Sequence, residues 1–357
     1  MSAKKLKHAV VPHDSLSGLL NSVRALLHSA RQAAFKSVNT IQVVTNYEIG
    51  RRIVRHEQSG KARAEYGKRV LAILSEKLTV EFGRGFSADN LVNMRKFYLT
   101  YQSRGPEIFE KASRKSGVLS SKAFNLSWSH YVFLCGISDT AERDFYEIEA
   151  IRNSWSLPEM RRQFDSGLYE RLALSRDKKS IKRLAKAGQT ITKAGDIFKE
   201  PYVLEFLGLD EKAKYSESDL ESAIIDKIEH FLLELGKGFL FEARQKRFTF
   251  NDEHFFVDLV FYNRLLRCYV LIDLKIGKLT HQNLGQMQMY VNYFDRHIKR
   301  EYESPTIGII LCRKKNDALV EITLPKRTNI RASRYQLYLP SKQLLKRKLL
   351  DWTKNSK

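Results

Sequence analysis

Hydrophobic positions in the first half of the chain recur every three or four residues, which is the spacing of one face of an α-helix. The clearest stripe comprises Leu19, Leu20, Val23, Leu26, Leu27 and Ala30. Further helices are marked by Ser87, a favourable N-cap, and by Ser156 with Glu159 three residues later, the spacing of a capping box. The pattern therefore predicts an all-α region over residues 15–175.

The second half changes to runs rich in β-branched and aromatic residues, which are typical of strands. Three such runs, joined by short turns, span 239–250, 254–263 and 267–277. A helix from about Ser218 precedes them and another from about Thr280 to His297 follows, while shorter strands are predicted at 306–314 and 335–339. The order of elements, αβββαβ, predicts a mixed α/β domain.

A basic segment separates the two patterns. Six of the eleven residues 176–186 are Lys or Arg. Such a run favours an exposed connector, either solvated or in contact with phosphate. We therefore predict a basic tail over 1–14, an α-helical domain over 15–175, a basic linker over 176–199 and the α/β domain over 200–357.

Charge and cysteine content narrow the range of functions. The 357 residues include 62 Lys and Arg against 40 Asp and Glu, a formal net charge of +22. This excess favours a polyanionic partner, nucleic acid or an acidic membrane surface, over the alternative of a protein that is merely basic. Cys135, Cys268 and Cys312 form no CxxC pair, so we expect a reducing, cytoplasmic setting and no zinc ribbon. No run of about eighteen apolar residues is present, so no membrane span is expected.

Two of the predicted strands carry an acid inside an apolar run. Asp258 lies in one strand and Asp273 in the next, with Lys275 two residues further on. An ionised carboxylate in a core is costly unless it is paired or bound to a cation. Adjacent antiparallel strands can bring the two acids together, and side-chain alternation puts Asp273 and Lys275 on one face. The plainer alternatives are a partly exposed Asp273–Lys275 ion pair and an Asp258 that caps a bulge.

Two carboxylates and a lysine at one edge of a sheet suit metal-assisted hydrolysis of a phosphodiester. Carboxylates bind Mg²⁺ or Mn²⁺, which polarises the phosphate and acidifies a bound water. The lysine can orient or deprotonate that water and stabilise the developing charge. Deprotonation of the water by Lys275 requires the pKa of this lysine to fall toward neutrality, which burial and a nearby cation both favour.

The acid of one strand followed by Asp273-Leu274-Lys275 in the next resembles the PD-(D/E)XK nuclease signature. Along nearly its whole length the chain is similar to the bacterial YhcG-type family, which joins an all-α N-terminal domain to such a nuclease domain. The phrases that carry the likeness include YEIGRRIV, LSWSHY, FLLELGKGFLFEARQKRF, FFVDLVFYNRLLRCYVLIDLKIG and GQMQMYVNYFD. The resemblance implies DNA cleavage or processing and a requirement for Mg²⁺.

The resemblance also implies roles for individual residues. The two aspartates, Asp258 and Asp273, would be metal ligands, and Lys275 would be the catalytic lysine. Glu221 matches an acidic helix position that contributes to the metal shell in related nucleases, although an acid near a helix start also favours the helix dipole. Related nucleases place a glutamine beside the active site, where this chain has Gln286 and Gln288; the alternative is that both are ordinary polar helix residues.

Two regions supply candidate nucleic-acid contacts. The first long strand carries residues placed to contact phosphate or to line a solvated face: Arg244, Gln245 and Lys246. A helix–turn–helix pattern surrounds the GRGF turn at 83–86. Its second helix would present polar side chains suited to bases or phosphates: Asn90, Asn93, Arg95 and Lys96. A plain helical hairpin is the alternative.

The sequence therefore predicts an α+β multidomain protein. A helix-turn-helix or winged-helix-like all-α domain is followed by a PD-(D/E)XK restriction-endonuclease-like domain. The predicted activity is Mg²⁺-dependent hydrolysis of DNA in repair, recombination or defence. The alternative is a non-catalytic nucleic-acid-binding or assembly protein that retains the nuclease fold. A homodimer is compatible with the prediction, since one site cuts one strand, and no small-molecule cofactor is expected.

Overall fold

The chain forms two compact units, one within residues 1–138 and the other within 139–357. The computed structural model describes residues 13–59, 64–104, 124–174, 178–209, 215–250, 252–325 and 328–354. Most of the predicted basic tail lies outside the described residues, and so does most of the segment 103–117, whose Gly, Ser and charged residues are typical of a loop. The two units are considered separately below.

The first unit is all-α, as predicted. Its helices are α1 (His13–Ser59), α2 (Ala64–Phe82), α3 (Ala88–Tyr101) and α4 (Trp128–Leu134). α1 packs on α3 around Phe97, which is fully buried in edge-to-face contact with Tyr47 and Trp128. A side chain at Gly50 would overlap the carbonyl group of Met94, so glycine at this position allows the two helices to approach closely.

The second unit begins with four helices. They are α5 (Thr140–Asn153), α6 (Leu157–Asp165), α7 (Leu168–Leu174) and α8 (Lys178–Ala187). The predicted capping box is confirmed at the start of α6, where the backbone N–H of Ser156 donates to Glu159 Oε2 at 2.6 Å. These helices pack on one another, with α5 against α8 and α7 against α8.

The division between the compact units does not follow the predicted domain boundary. It falls after Ser138, because α5–α8 belong with the sheet that follows them. α8 lies inside the predicted linker, and Leu184 is fully buried there, so this part of the segment is not an exposed coil. That residues 15–175 form a domain of their own stays a prediction.

A six-stranded mixed sheet forms the centre of the second unit. Its strands are β1 (Tyr202–Val203), β2 (Phe239–Phe250), β3 (Glu253–Asn263), β4 (Cys268–Lys278), β5 (Ile307–Lys314) and β6 (Ile330–Gln336). Their spatial order is β1-β6-β5-β4-β3-β2. β2, β3 and β4 form the predicted antiparallel meander, and the remaining pairings are parallel.

Helices cover both faces of this sheet. They are α9 (Glu217–Asp226), α10 (Ile228–Leu235), α11 (His281–Tyr293) and α12 (Asp317–Thr323). The last helix, α13 (Lys342–Lys354), packs on α7. On one face Phe231 of α10 packs in a cluster with Ile272, and on the other Met287 of α11 packs with Leu271. Residues on both faces of β4 are therefore buried, which explains its nearly continuous apolar sequence. None of the helices in the described segments has the length and apolar character to cross a membrane.

The predicted order αβββαβ is confirmed, with β1 and β6 added at one edge, but two predicted elements differ from the structure. The helix predicted from Ser218 is split into α9 and α10, because Lys227 between them leaves the helical conformation (φ −121°, ψ 37°). The last strand spans 330–336 and not 335–339, since its pairing with β5 begins at Ile330 opposite Gly308. The helix after the meander ends in a π-helical turn, Phe294–Ile298.

A buried ion pair fastens the leading helices to the sheet region. Arg171 of α7 pairs with Glu234 of α10, and both side chains are completely buried. Arg171 also donates to the carbonyl oxygen of Pro201 at 3.0 Å, and Glu234 accepts from the backbone N–H of Val203 at 3.0 Å. Burial alone would raise the pKa of Glu234, but the charges of Arg171 and Lys199 lower it to about 2. The pair therefore joins α7, α10 and β1.

We expect Arg171→Met to lower the free energy of unfolding by about 3–5 kcal/mol at pH 7, because it removes the cation nearest to the buried Glu234 carboxylate. Glu234 has a depressed pKa, so its contribution is present above its ordinary pKa of 4.5 and is lost as the pH falls toward about 2. The difference in free energy of unfolding between the parent protein and the variant should shrink over that pH range. Denaturant unfolding measures it, with the exposed Arg300→Met as control. A deficit below about 1 kcal/mol at pH 7 would contradict this role.

Candidate active site

The two predicted acids meet where β3 and β4 separate. The paired register of these strands runs from Asn263 opposite Cys268 to Leu259 opposite Ile272, so Asp258 and Asp273 are the next pair in sequence. Beyond this point Asp258 Oδ2 accepts a hydrogen bond from the backbone N–H of Leu274 at 2.8 Å. The Asp258 and Asp273 carboxyl groups are within hydrogen-bonding contact of each other.

Asp273 is the most deeply buried member of this group, with 2% of its surface exposed. Burial, followed by the charge of Asp258, raises the pKa of Asp273 to about 7. The only compensating charge described beside it is that of Lys275, whose Nζ lies 3.0 Å from Asp273 Oδ2. Two carboxylates in contact repel each other, and a bound cation would relieve that repulsion.

Lys275 is held by a carboxylate that the sequence reasoning missed. Its Nζ lies 3.2 Å from Oε2 of Glu217, and Oε1 of Glu217 accepts from the backbone N–H of Ile276 at 3.4 Å. Glu217 could have been found as the first residue after the N-cap Ser216, one helical turn before Glu221. It brings a third negative charge to Lys275.

Deprotonation of water by Lys275 would require the pKa of this lysine to fall toward neutrality. In this arrangement of charges its pKa does not fall. Burial lowers it, but the charges of Asp273, Asp258 and Glu217 together raise it above its ordinary value. The side chain therefore remains an ammonium group in this arrangement of charges.

Two of the three β2 residues predicted to contact phosphate, Arg244 and Gln245, contact the carboxylates of this site. Gln245 Nε2 donates to Asp258 Oδ1 at 3.1 Å and also to Glu221 Oε2. Arg244 pairs with Glu221 Oε1 and donates to Ser222 Oγ at 3.0 Å. Gln245 itself adopts a left-handed backbone conformation (φ 47°), an uncommon state for a residue within a strand.

The third β2 residue lies outside this network. Lys246 pairs with Glu242, at 3.2 Å between Nζ and Oε1. Glu221 is buried, but the amide group of Gln245 stands between it and Asp258. Among the described residues no group of three His, Cys, Asp or Glu side chains is arranged to hold a metal ion. A role for Glu221 as a direct ligand is therefore not evident in this arrangement.

The two glutamines of α11 differ in position. Gln286 donates to the hydroxyl group of Tyr290, whose pKa is raised to about 12 by burial and then by the charge of Asp273. Gln286 and Tyr290 therefore face the carboxylate pair. Gln288 is directed elsewhere, with its Nε2 3.4 Å from Asn292 Oδ1. Tyr290, absent from the predicted site, could have been found from its position one helical turn after Gln286.

Asp258 and Asp273 provide a donor set that fits Mg²⁺ or Mn²⁺. Mg²⁺ is commonly bound through one or two carboxylates, with water and substrate phosphate completing its shell. The two carboxylates meet this requirement without a third, and their mutual repulsion favours a cation. The arrangement is able to bind a metal ion and to present the Lys275 ammonium beside it.

In the first unit, α2 and α3 form the predicted pair of helices around a turn, with Gly83 and Gly85 in left-handed conformations. Two of the four predicted contact residues are used internally. Asn90 accepts from the indole N–H of Trp128 at 2.9 Å, and Arg95 pairs with Glu57 at 2.7 Å. The remaining two, Asn93 and Lys96, are partly and largely exposed.

Comparison with known proteins is consistent with the geometry of this edge. Residues 195–350 match the family described as the YhcG PDDEXK nuclease domain, and residues 22–171 match the DUF1016 N-terminal domain. The chain is 39% identical over 338 residues, 90% of each sequence, to the Escherichia coli (strain K12) protein named "Putative nuclease YhcG". The chain belongs to the YhcG family. The resemblance and the α+β fold class predicted from sequence are therefore confirmed, and the second unit contains a PD-(D/E)XK nuclease domain.

Solved structures resemble this YhcG-family chain over part of its length. They include the "crystal structure of a repair endonuclease from Pyrococcus abyssi", with a TM-score of 0.24, and the "Structure of EndoMS-dsDNA2 complex", with a TM-score of 0.25. Each is 16% identical, and each alignment spans 37% of this chain and half of the other. The family assignment rests on the sequence matches.

We expect Asp273→Asn to raise the free energy of unfolding at pH 8, measured in EDTA, on the order of 2–4 kcal/mol. The folded-state pKa of Asp273 is raised, so its ionisation destabilises the folded protein increasingly as the pH rises from about 4 to about 7. The stabilisation of Asp273→Asn relative to the parent protein should therefore grow over this pH range and then level off. Denaturant unfolding at several pH values measures it.

Asp317→Asn is the matched control, because this exposed carboxyl group has a pKa that Lys315 lowers. It should give no stabilisation at any pH. An Asp273→Asn variant no more stable than the parent protein at pH 8 would show that the carboxylate pair is not strained.

Proposed function

We propose that this chain is a Mg²⁺-dependent deoxyribonuclease and that Mn²⁺ can replace Mg²⁺. The observation that carries the proposal is the convergence of Asp258, Asp273 and Lys275. The two carboxyl groups are in contact, and Lys275 Nζ lies 3.0 Å from Asp273 Oδ2. Oxygen donors beside an ammonium group suit the binding of a hard cation and a phosphate at one place.

The residues at this edge would have distinct roles in hydrolysis. Bound Mg²⁺ supplies charge neutralisation and an acidified water, and Asp258 and Asp273 would hold it. Lys275 Nζ lies 3.0 Å from Asp273 Oδ2, so its ammonium group is placed to stabilise negative charge on the phosphate. Glu217 positions Lys275 through the 3.2 Å contact, and the Gln245 amide orients Asp258.

DNA is the proposed substrate. The net charge of +22 favours a polyanion, and membership of a family of nuclease-domain proteins favours a nucleic acid over a membrane surface. We propose repair, recombination or defence as the setting, in the cytoplasm. The alternative is a non-catalytic nucleic-acid-binding or assembly protein. Asp273 favours the enzyme over this alternative. Its carboxyl group is buried and repelled by Asp258, and a purely structural role would not require a carboxylate in such a place.

We also propose that α3 contributes to DNA binding through Asn93 and Lys96. Asn90 and Arg95 would act indirectly, since their contacts with Trp128 and Glu57 hold α3 within the first unit. This assigns two of the four predicted residues to contact and two to support.

We expect Asp273→Asn and Lys275→Ala each to reduce Mg²⁺-dependent cleavage of DNA at least about 100-fold, because each removes a group that binds the cation or stabilises the phosphate. EDTA should abolish cleavage by the parent protein. Timed cleavage of a labelled duplex and a labelled single strand measures both effects.

Lys278→Ala is the matched control, because Lys278 lies on the same strand and is exposed. It should cut within about threefold of the parent rate. Unfolding measurements on Asp273→Asn separate loss of chemistry from loss of fold. Equal cleavage by the parent protein and both active-site variants would place the activity elsewhere.

We further propose that a second copy of this chain packs on α1 between Leu20 and Ile41. An apolar stripe there is 42–55% exposed at Leu20, Val23, Leu27 and Ile41. These positions are separated by three, four and fourteen residues, so they occupy heptad a and d positions. α1 of the second copy carries the same four residues at the same spacing, so the two stripes can pack against each other. Exposed apolar residues repeated along a helix are typical of an interface.

We expect the double variant Leu20→Gln, Leu27→Gln to sediment as a monomer where the parent protein sediments as a dimer. The reason is that two positions buried in the proposed dimer become polar. Sedimentation velocity over a range of concentrations measures the change. Val80→Gln, at an 86% exposed position on α2, is the control and should remain dimeric. A parent protein that is monomeric throughout, or a double variant that stays dimeric, would contradict the proposal.

A further inference from the structure

A groove lies beside the carboxylate edge, between the end of β2 and the outer side of α11. Its volume is about 350 Å³, within the range of sites that bind small organic groups. It is lined by Phe248, Phe250, Gly285, Gln288, Met289, Asn292, Tyr293, Arg296 and His297. None of the roles described so far uses this groove.

The walls of the groove are aromatic. Phe248 and Tyr293 are stacked, with ring centroids 4.1 Å apart and an interplanar angle of 21°. Phe250 lies two residues along the same face of β2 and is 58% exposed. Phe248 belongs to the core, but Phe250 presents most of its ring to the groove and to solvent. An exposed ring beside a stacked pair is suited to receiving another flat ring.

The rim of the groove is polar and basic. The π-helical turn Phe294–Ile298 follows α11 and places Arg296 and His297 at the groove, both exposed. π-helical turns are often found at functional sites. Gln288 and Asn292 supply amide groups one helical turn apart. The described lining contains no carboxylate, so its charge complements a polyanion.

Packed aromatic side chains link the groove to the candidate active site. Phe248 makes an edge-to-face contact with Tyr290, with ring centroids 5.6 Å apart. Tyr290 in turn lies within the field of Asp273 and Asp258. The buried Tyr290 ring therefore lies between the groove wall and the carboxylate pair.

We propose that this groove binds an unpaired nucleobase of the strand whose phosphate lies at the Asp258–Asp273 edge. The base would stack on Phe250, Arg296 would contact the adjoining phosphate, and the two amide groups would face the base edge. The proposal rests on the proposed nuclease function, and it makes substrates with a single-stranded segment the preferred class. A paired base cannot enter the groove without leaving its duplex.

The test is direct binding in EDTA, so that cleavage plays no part. The probes are a single-stranded oligonucleotide, a blunt duplex of the same sequence, and the single strand carrying 2-aminopurine. We expect Phe250→Ala to weaken single-strand binding about 10-fold or more and to leave duplex binding within about twofold. Stacking quenches 2-aminopurine fluorescence, and the variant should lose that quenching.

Two further variants sharpen the comparison. Phe256→Ala is the matched control, because Phe256 is 46% exposed but follows Phe255, which is stacked on Phe248, and so points to the opposite face of the hairpin. It should bind both probes as the parent protein does. Gly285→Leu should block the groove, since a side chain at Gly285 meets no atom within 4 Å and extends into open space. It should reproduce the Phe250→Ala result without removing a ring.

Two results would overturn the groove proposal. One is single-strand binding by Phe250→Ala and Gly285→Leu that matches Phe256→Ala. The other is an equal loss of duplex and single-strand binding, which would indicate general phosphate contact. Failure of the proposed nuclease function is distinguishable, because it would appear as absence of Mg²⁺-dependent cleavage by the parent protein and not as a change in these metal-free affinities.

Discussion

The candidate active site depends on one contact, that between the carboxyl groups of Asp258 and Asp273. The register of β3 and β4 places them opposite each other at the point where the strands part, and helices on both faces of β4 keep Asp273 from water. The repulsion and burial that follow raise the pKa of Asp273 to about 7. Neighbouring groups offset this cost in part, with the ammonium of Lys275 beside one acid and the Gln245 amide donating to the other.

The surrounding elements hold this edge in position. α9 supplies Glu217 to Lys275, and α11 supplies the Gln286–Tyr290 pair from the opposite face. α9 and α10 are separated by a single residue, so the ion pair between Glu234 and Arg171 also restricts where α9 can lie. Helices that precede the family's nuclease domain in sequence thus take part in fixing the carboxylate edge.

Periodicity was sufficient to predict the helical first half, the β2–β4 meander and the order of the nuclease core, because burial on a helix or a strand face repeats with the geometry of that element. It failed where local pattern and tertiary contacts disagree. The segment 176–186 is so basic that it resembled a solvated linker, yet Leu184 is buried. Likewise, no pattern indicates that the helix from Ser218 breaks at Lys227, whose Nζ donates to the carbonyl oxygen of Phe206 at 2.7 Å.

The sequence by itself determined the family and the fold class, and it predicted that Asp258, Asp273 and Lys275 converge, since an acid in one apolar strand and an Asp-x-Lys in the next are visible without coordinates. Only the tertiary structure decided that Glu217 pairs with Lys275 and that Gln245 separates Glu221 from Asp258. The physical reason is that such contacts depend on where distant backbone segments lie, and the pKa of a buried group depends on all the charges around it. Around Lys275, for example, the charges of Asp273, Asp258 and Glu217 raise the pKa that burial alone would lower.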